Sequence, residues 1–217
     1  MFNAKLTFLF VLLFGISSCS SISNKSSSTT FQYDGGQVKL LHHGDSCFIY
    51  IDGEINQSLK KSFSDASNNL ARQSCNEKMV MIKSHGGDLK SAMDIGRQIR
   101  WGKLNTDMHG YCESACVFIY IGGVQRYVHL NSHVVENSQL GVHQPASELL
   151  FHQCIPKTPQ SGPIVQEISQ YLHLMLADKA AHQLSEWMFT TSCQKIAYID
   201  AASMIEAGIA TTKVDFH

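Results

Sequence analysis

The sequence predicts an α/β fold in a single domain that follows an export signal. Short apolar runs rich in β-branched and aromatic residues alternate with segments that carry apolar residues at helical spacing. The chain has 217 residues, 44% of them hydrophobic, which suffices for one domain with a well-developed core. Its 17 basic residues are matched by 18 acidic ones, so we expect no nucleic-acid partner.

The N-terminus is typical of a secretory signal. Lys5 precedes an apolar run over residues 6–14, and small residues then lead to Cys19. The run is short for a transmembrane helix, which needs about 20 apolar residues. We therefore expect a signal peptide over residues 1–18. The residues that follow are nearly all Ser, Thr, Asn or Lys, which predicts a flexible tether over residues 19–31 and a folded domain over residues 32–217.

The end of this signal also suggests how the protein is held. The segment Ile16-Ser17-Ser18-Cys19 resembles a bacterial lipobox, in which the cysteine sulfur receives a diacylglycerol. The resemblance implies an exported lipoprotein, anchored to a membrane on its periplasmic side. Ser20 favours the outer membrane if the host is Gram-negative. The alternative is ordinary secretory cleavage, with Cys19 incidental.

The elements of the first half follow in order from residue 47. An apolar run over residues 47–51 predicts a buried parallel strand, residues 57–73 an amphipathic helix, and residues 79–82 a second strand. A second helix follows Gly86-Gly87, and a weak strand is expected over residues 106–109. The composition of the next apolar run, residues 117–121, fits a strand as well as a helix.

The second half is less regular. Two short strands are expected near residues 126–129 and 140–143, followed by a proline-rich loop over residues 151–162. A long helix is then predicted from about residue 163 to residue 188. A short helix over residues 201–207, ended by Gly208, and a last strand over residues 209–214 complete the domain.

Three segments carry residue types that acyl transfer needs. Gly86-Gly87 opens a helix after a buried strand, where backbone amides can turn outward and meet partial positive charge. Ser114 precedes an apolar run, and His143 ends a short strand. Each has a structural alternative, namely a tight turn, a helix N-cap and a structural histidine.

The order Gly-Gly, then Ser-Ala, then Val-His-Gln-Pro resembles the proteolytic subunit of the Clp protease. It is closer still to exported Clp-like proteins with serine in a Cys-x-Ser-Ala-Cys setting. From about residue 48 to the C-terminus, the resemblance implies a Clp/crotonase-like fold of repeated ββα units, with residues 117–121 helical. It also implies that Ser114 attacks a carbonyl and His143 removes its proton, while the amides of Gly87 and Ala115 hold the oxyanion. No cofactor is expected.

The implied activity is that of a serine peptidase on peptides or unfolded chains. Related proteins assemble as rings, so a homo-oligomer is a further expectation. Two other interpretations stay open: a catalytically idle module that binds peptides or assembles, and crotonase-like chemistry on thioesters.

Two departures from the family pattern bear on activity. His85 stands where the family usually has proline. Ile196 falls where the aspartate of the catalytic triad is expected, and isoleucine cannot orient an imidazole. Either the site is a Ser–His dyad, or Asp178, Asp200 or another group takes this role, or activity is lost.

Six cysteines remain once Cys19 is assigned to lipid. An even number in an oxidising compartment suggests disulfides, although the sequence alone leaves 15 pairings open and free buried thiols are the alternative for any one pair. The expected pairs are Cys47–Cys75, Cys112–Cys116 and Cys154–Cys193. No metal is expected, because a lone C-x-x-x-C is a poor zinc signal and His129 and His133 fall in a region of strand and loop.

Overall fold

The computed structural model describes residues 26–130, 138–147, 153–155 and 162–215. These residues form one domain with a mixed nine-stranded sheet, covering helices and a separate two-stranded ribbon, which confirms the predicted α/β class. The predicted signal at residues 1–18, Cys19, which is predicted to carry lipid, and His133 lie outside the described residues. Within the described part, no helix is both long and apolar enough to span a membrane.

Strands and helices alternate along much of the chain. The first half contains β1 (Ser27–Tyr33), β2 (Gly36–His43), β3 (Ser46–Gly53), α1 (Gln57–Ala71), β4 (Glu77–Ser84), α2 (Leu89–Trp101), β5 (Asn105–Glu113) and α3 (Cys116–Tyr120). The second half contains β6 (Arg126–Leu130), β7 (Gln139–Val142), β8 (Ala146–Ser147), β9 (Gln153–Cys154), α4 (Gly162–Met175), α5 (Asp178–Thr190), β10 (Ala197–Asp200), α6 (Ala201–Glu206) and β11 (Thr212–Asp215).

The predicted βαβ unit is present as β3, α1 and β4. The two strands pair in parallel, and α1 packs against β3 and its neighbours β1 and β2. Asn56 caps this helix by accepting a hydrogen bond from the amide of Leu59 at 2.9 Å. The predicted amphipathic pattern is thus the face that α1 buries. Its buried apolar residues are Leu59, Phe63, Ala66 and Leu70.

The strand β5 divides the sheet into two branches. Its first half pairs in parallel with β6, and its last residues pair in parallel with β7, where Glu113 lies opposite Gly141. The strand β10 adds to the far side of β7 in antiparallel orientation. This branching places the end of β5, the end of β7 and the start of β10 side by side.

The predicted tether ends earlier than residue 31. Residues 27–31 belong to β1, which pairs with β2 so that Phe31 lies opposite Val38. Most side chains of β1 are exposed. A Ser/Thr-rich sequence is compatible with such an edge strand, since Thr is β-branched and nothing there needs to be buried. The hairpin of β1 and β2 had no sequence signal that we recognised.

The single long helix predicted over residues 163–188 is wrong. Two helices, α4 and α5, occupy this stretch, separated by an extended Ala177. The Arg100 guanidinium donates to the Met175 carbonyl at 2.8 Å and satisfies the end of α4. A partner so distant in sequence leaves no local signal.

Two short strands were not predicted. The loop expected over residues 151–162 contains β9, which pairs with β8 so that Cys154 lies opposite Ala146. Residues 197–200 form β10, and the helix predicted over residues 201–207 begins at Ala201. The strand pairs with β7 and thereby borders the segment that leads to His143.

Candidate active site

Ser114 lies at a sharp elbow between β5 and α3. Its φ of 55° is in the left-handed region, which costs a non-glycine residue roughly 1–2 kcal/mol. The elbow is held by a hydrogen bond from the Ser114 amide to the Gly141 carbonyl at 2.8 Å. Ala115, not Ser114, is the N-cap residue of α3, so the structural alternative of an N-cap serine is wrong. Strain of this kind persists only where the surroundings enforce it.

A disulfide spans this elbow. Cys112 and Cys116, both fully buried, are bonded on either side of Ser114 with Cα atoms 5.2 Å apart. The structure also contains the other two expected bridges, Cys47–Cys75 and Cys154–Cys193. The bridge across the elbow limits how far the backbone at Ser114 can relax.

The Gly86-Gly87 segment turns one amide away from its neighbouring strand. The Ile55 amide donates to the Gly86 carbonyl at 2.8 Å, and the Asp88 amide donates to the Ile55 carbonyl at 2.7 Å. In extended backbone, successive residues direct their N–H and C=O groups to opposite sides. The N–H of Gly87, which lies between Gly86 and Asp88, therefore points away from Ile55. A Cβ at Gly87, whose φ is 136°, would collide with the Ile55 carbonyl, so this position requires glycine.

Two backbone amides beside Ser114 have no partner in the protein. Within the described chain, neither the Gly87 N–H nor the Ala115 N–H donates to an acceptor. Both residues line the same cleft. Paired donors of this kind are what an oxyanion hole requires.

His143 follows directly after β7 and is half-buried. Its Nδ1 lies 2.6 Å from the Gln144 carbonyl oxygen. A carbonyl only accepts, so the proton is on Nδ1 and Nε2 is left as the basic nitrogen. Gln144 is itself fixed, since its amide donates to the Thr191 carbonyl at 2.8 Å and its side chain to the Phe189 carbonyl at 2.7 Å.

One cleft of about 600 Å³ brings the predicted site residues together. Ser114, His143, Gly87 and Ala115 all line it. Within the described residues, no hydrogen bond joins the Ser114 hydroxyl to His143. Catalytic hydrogen bonds in unliganded sites are often long and tighten when substrate binds.

A model of the family described as Clp protease matches residues 40–211. The chain belongs to the Clp protease family. Solved structures agree on the fold. ClpP1 from Listeria monocytogenes and a mutant of it are 18% and 19% identical to this chain, each with a TM-score of 0.59, over 78% of this chain and 92% of theirs.

A second kind of relative is the 1510-N membrane-bound stomatin-specific protease, solved as a mutant. It is 12% identical with a TM-score of 0.54, over 78% of this chain and 77% of that one. At these identities the structures establish a shared peptidase-like fold. No curated protein matches the chain.

Ile196, predicted to stand at the triad position, lies just before β10. The last pair of the β7–β10 ladder is Val142 with Ala197, so Ile196 and His143 each lie one residue beyond it. A Cβ at Gly141 would come within 2.8 Å of Cγ2 of Ile196. Its side chain is 40% exposed. The group that His143 does contact through Nδ1 is the neutral carbonyl of Gln144.

The structure brings neither of the two candidate aspartates to His143. Asp178 is 91% exposed and bonds to His173 at 3.1 Å. Asp200 caps α6 by accepting a hydrogen bond from the Ser203 amide at 2.8 Å, and this bond lowers the pKa of the Asp200 carboxyl. Both carboxylates therefore serve other parts of the fold.

A buried carboxylate beside Ser114 was not predicted from the sequence. Glu113 bonds to His85 Nδ1 at 2.7 Å and accepts a hydrogen bond from the Tyr198 hydroxyl at 2.6 Å. That bond raises the pKa of the Tyr198 phenol, which therefore remains a protonated donor. Two signals in the sequence belong to this group: His85 in place of the family's proline, and Gly141 inside a strand.

Proposed function

We propose that the protein is a serine peptidase that hydrolyses peptide bonds in short or unfolded polypeptides. The observation that carries the proposal is the shared cleft, in which Ser114 and His143 lie with two amides that donate to no acceptor among the described residues. These are the nucleophile, base and oxyanion donors that acyl transfer needs. Membership of the Clp protease family supports the same chemistry.

The proposed reaction begins with the Ser114 hydroxyl. Its oxygen attacks the substrate carbonyl carbon while Nε2 of His143 takes the hydroxyl proton, and the Gly87 and Ala115 amides hold the resulting oxyanion. The protonated imidazole then gives its proton to the leaving amine, and water cleaves the acyl-enzyme by the same steps. Loss of one oxyanion donor typically costs about 10²–10³ in rate.

The cleft favours an extended substrate with an apolar side chain next to the cleaved bond. The outward edge of Gly86-Gly87 has backbone groups to which a peptide can add as a strand, so main-chain hydrogen bonds supply affinity. The floor of the cleft is largely apolar, and burial of an apolar side chain there is favourable. Its apolar residues include Ile55, Leu89, Val117, Phe118, Ile164 and Met188.

A fluorophosphonate probe tests the proposal. We expect the folded wild-type protein to form a covalent adduct, Ser114→Ala to form none, and His143→Ala to react about 10²–10⁴-fold more slowly. Intact mass measures the adduct, and circular dichroism confirms that each variant is folded. A folded wild-type protein that stays unlabelled, or an adduct that survives Ser114→Ala, would contradict the proposal.

A catalytically idle peptide-binding or assembly module is the second candidate. Ile196 at the predicted triad position favours it, because a missing orienting carboxylate can cost about 10⁴ in kcat where a triad depends on it. Under this interpretation Ser114→Ala leaves every phenotype of the protein intact while deletion of the protein does not. Thioester chemistry ranks third, since that branch of the fold works mainly with backbone donors and carboxylates.

We propose further that the protein is exported and anchored through lipid on Cys19, on the periplasmic side and at the outer membrane in a Gram-negative host. The signal-like N-terminus supports export, and so do three disulfides, which persist in oxidising compartments. Clp-like proteins commonly form oligomers, and on that ground we propose a homo-oligomer here.

A further inference from the structure

We infer that Glu113 is a positioning residue for the nucleophile, because its carboxylate ties the segment that carries Ser114 to the turn that carries Gly87 and to β10, the strand paired with the one that leads to His143. The inference rests on the proposed peptidase function. Glu113 is the last residue of β5 and is joined to Ser114 by a peptide bond. Its side chain is only 7% exposed.

The two carboxylate oxygens bind two different segments. Oε2 accepts from Nδ1 of His85 at 2.7 Å, in the turn that leads into Gly86-Gly87. Oε1 accepts from the hydroxyl of Tyr198 at 2.6 Å, on β10. His85 is also stacked on Tyr111, with ring centroids 4.1 Å apart, which limits where its imidazole can move.

Gly141 makes room for the contact between Glu113 and Tyr198. Gly141 on β7 lies opposite Glu113 on one side and opposite Tyr198 on the other. A Cβ at this glycine would come within 2.7 Å of Cγ of Glu113. The carboxylate thus reaches Tyr198 across the strand that leads to His143.

The turn at Gly86-Gly87 packs directly against the elbow at Ser114. A Cβ at Gly86 would lie 2.7 Å from Cβ of Ser114 and 2.8 Å from the Glu113 carbonyl oxygen. A shift of the turn that contains His85, Gly86 and Gly87 therefore moves the Gly87 amide relative to Ser114. The Glu113–His85 hydrogen bond restrains the position of this turn relative to Ser114.

The energetic cost of burying a charged carboxylate explains how Glu113 can restrain the position of Ser114. A buried carboxylate is unfavourable unless its oxygens are hydrogen-bonded, so Glu113 holds its two partners firmly. The left-handed backbone at Ser114 relaxes once its surroundings no longer enforce it. A misplacement of 1 Å at a reacting group can cost about 10²-fold in rate.

Three variants test the inference through fluorophosphonate reactivity and hydrolysis of a fluorogenic peptide. Glu113→Ala removes both hydrogen bonds, whereas Glu113→Gln keeps an acceptor for Tyr198 and a donor for the other tautomer of His85. The matched control is Asp107→Asn, which alters another buried carboxylate of β5, bonded to His129 at 2.8 Å. The thermal midpoint of each variant is recorded alongside.

We expect Glu113→Ala to lower kcat about 100-fold with KM within about twofold, because the reacting groups are misplaced while the binding cleft is intact. Glu113→Gln should recover at least about tenfold of this loss, and Asp107→Asn should keep wild-type kcat despite a lower thermal midpoint.

Three results would overturn the inference. Glu113→Ala keeps the wild-type kcat and labelling rate, or Asp107→Asn loses kcat to the same extent, or Glu113→Gln is no better than Glu113→Ala. The last two results would mean that a buried carboxylate acts here only through stability. A folded wild-type protein that is never labelled is a different result: it overturns the proposed function, and this inference with it.

Discussion

The imidazole of His143 is oriented by a neutral group. The Gln144 carbonyl fixes the tautomer that leaves Nε2 basic, but it supplies no negative charge to stabilise the imidazolium that forms during the reaction. Ile196, at the predicted triad position, offers only an apolar side chain. We therefore expect a working but slow dyad.

A carboxylate at position 196 should make the site faster. We expect Ile196→Asp to raise kcat/KM at least about tenfold, since the charge of an orienting aspartate is worth up to about 10⁴ in a triad. Ile196→Asn is the matched control: it offers a hydrogen-bond acceptor without charge and should gain much less. Steady-state hydrolysis of a fluorogenic peptide measures both. Equal rates for the wild-type protein and Ile196→Asp would show that the carbonyl already does all that the site requires.

Some residues of the candidate site could be singled out from the sequence because they occur in the order that the resemblance requires. The sequence led to Ser114, His143 and Gly87 because each has a local mark, and the structure places all three around one cleft. No motif in the sequence around Glu113 indicates its role. Its partners are 28 and 85 positions away, and a single glutamate before the serine reads as an ordinary surface residue.

At the scale of elements, the elbow between β5 and α3 is the part of the fold that holds the nucleophile. The Cys112–Cys116 bridge closes a loop of only a few residues, so it is expected to stabilise the whole domain by roughly 2 kcal/mol. Its larger effect should be on the geometry of the elbow, since it restrains both ends of a strained segment.

We expect Cys112→Ser/Cys116→Ser to lower the fluorophosphonate labelling rate by at least about tenfold, since even a 1 Å displacement of Ser114 can cost 10²-fold. The matched control is Cys47→Ser/Cys75→Ser. That bridge joins the chain before β4 to the start of β3, at the end of the sheet remote from Ser114, and closes a longer loop. It should cost more stability, roughly 3–4 kcal/mol, without slowing the labelling of the folded protein. The opposite pattern would exclude a role for the elbow bridge in placing the serine.

Helices and strands could be predicted where the spacing of apolar residues along the sequence matches the face that the element buries. The buried strands β3 and β4 and the helices α1 and α2 lie close to their predicted positions, because each presents apolar residues at the spacing of its own geometry. The end of α4 is hydrogen-bonded by Arg100, which is distant in sequence. The strand β1 is formed by its pairing with β2. Contacts made in the folded molecule decide both.

At the scale of the whole molecule, the early start of β1 shortens the link to the proposed anchor. Between Cys19 and Ser27 lie eight chain steps, which span at most about 28 Å when fully extended. A domain tied this closely to a membrane meets substrates at that surface. Anchoring and catalysis are nonetheless separable, because Cys19 is not among the six cysteines paired in the domain.

Cys19→Ala should release the protein from the membrane without affecting its chemistry. Several acyl chains, each contributing about 0.8 kcal/mol per buried methylene, hold a lipoprotein firmly. We therefore expect the wild-type protein to sediment with membranes and incorporate radiolabelled palmitate, and Cys19→Ala to do neither. The labelling rate at Ser114 should be the same in both, since the disulfides and the cleft are unchanged. A wild-type protein found in the soluble fraction without palmitate would instead mean ordinary secretory cleavage, and would leave the peptidase proposal intact because none of the cleft residues depends on the anchor.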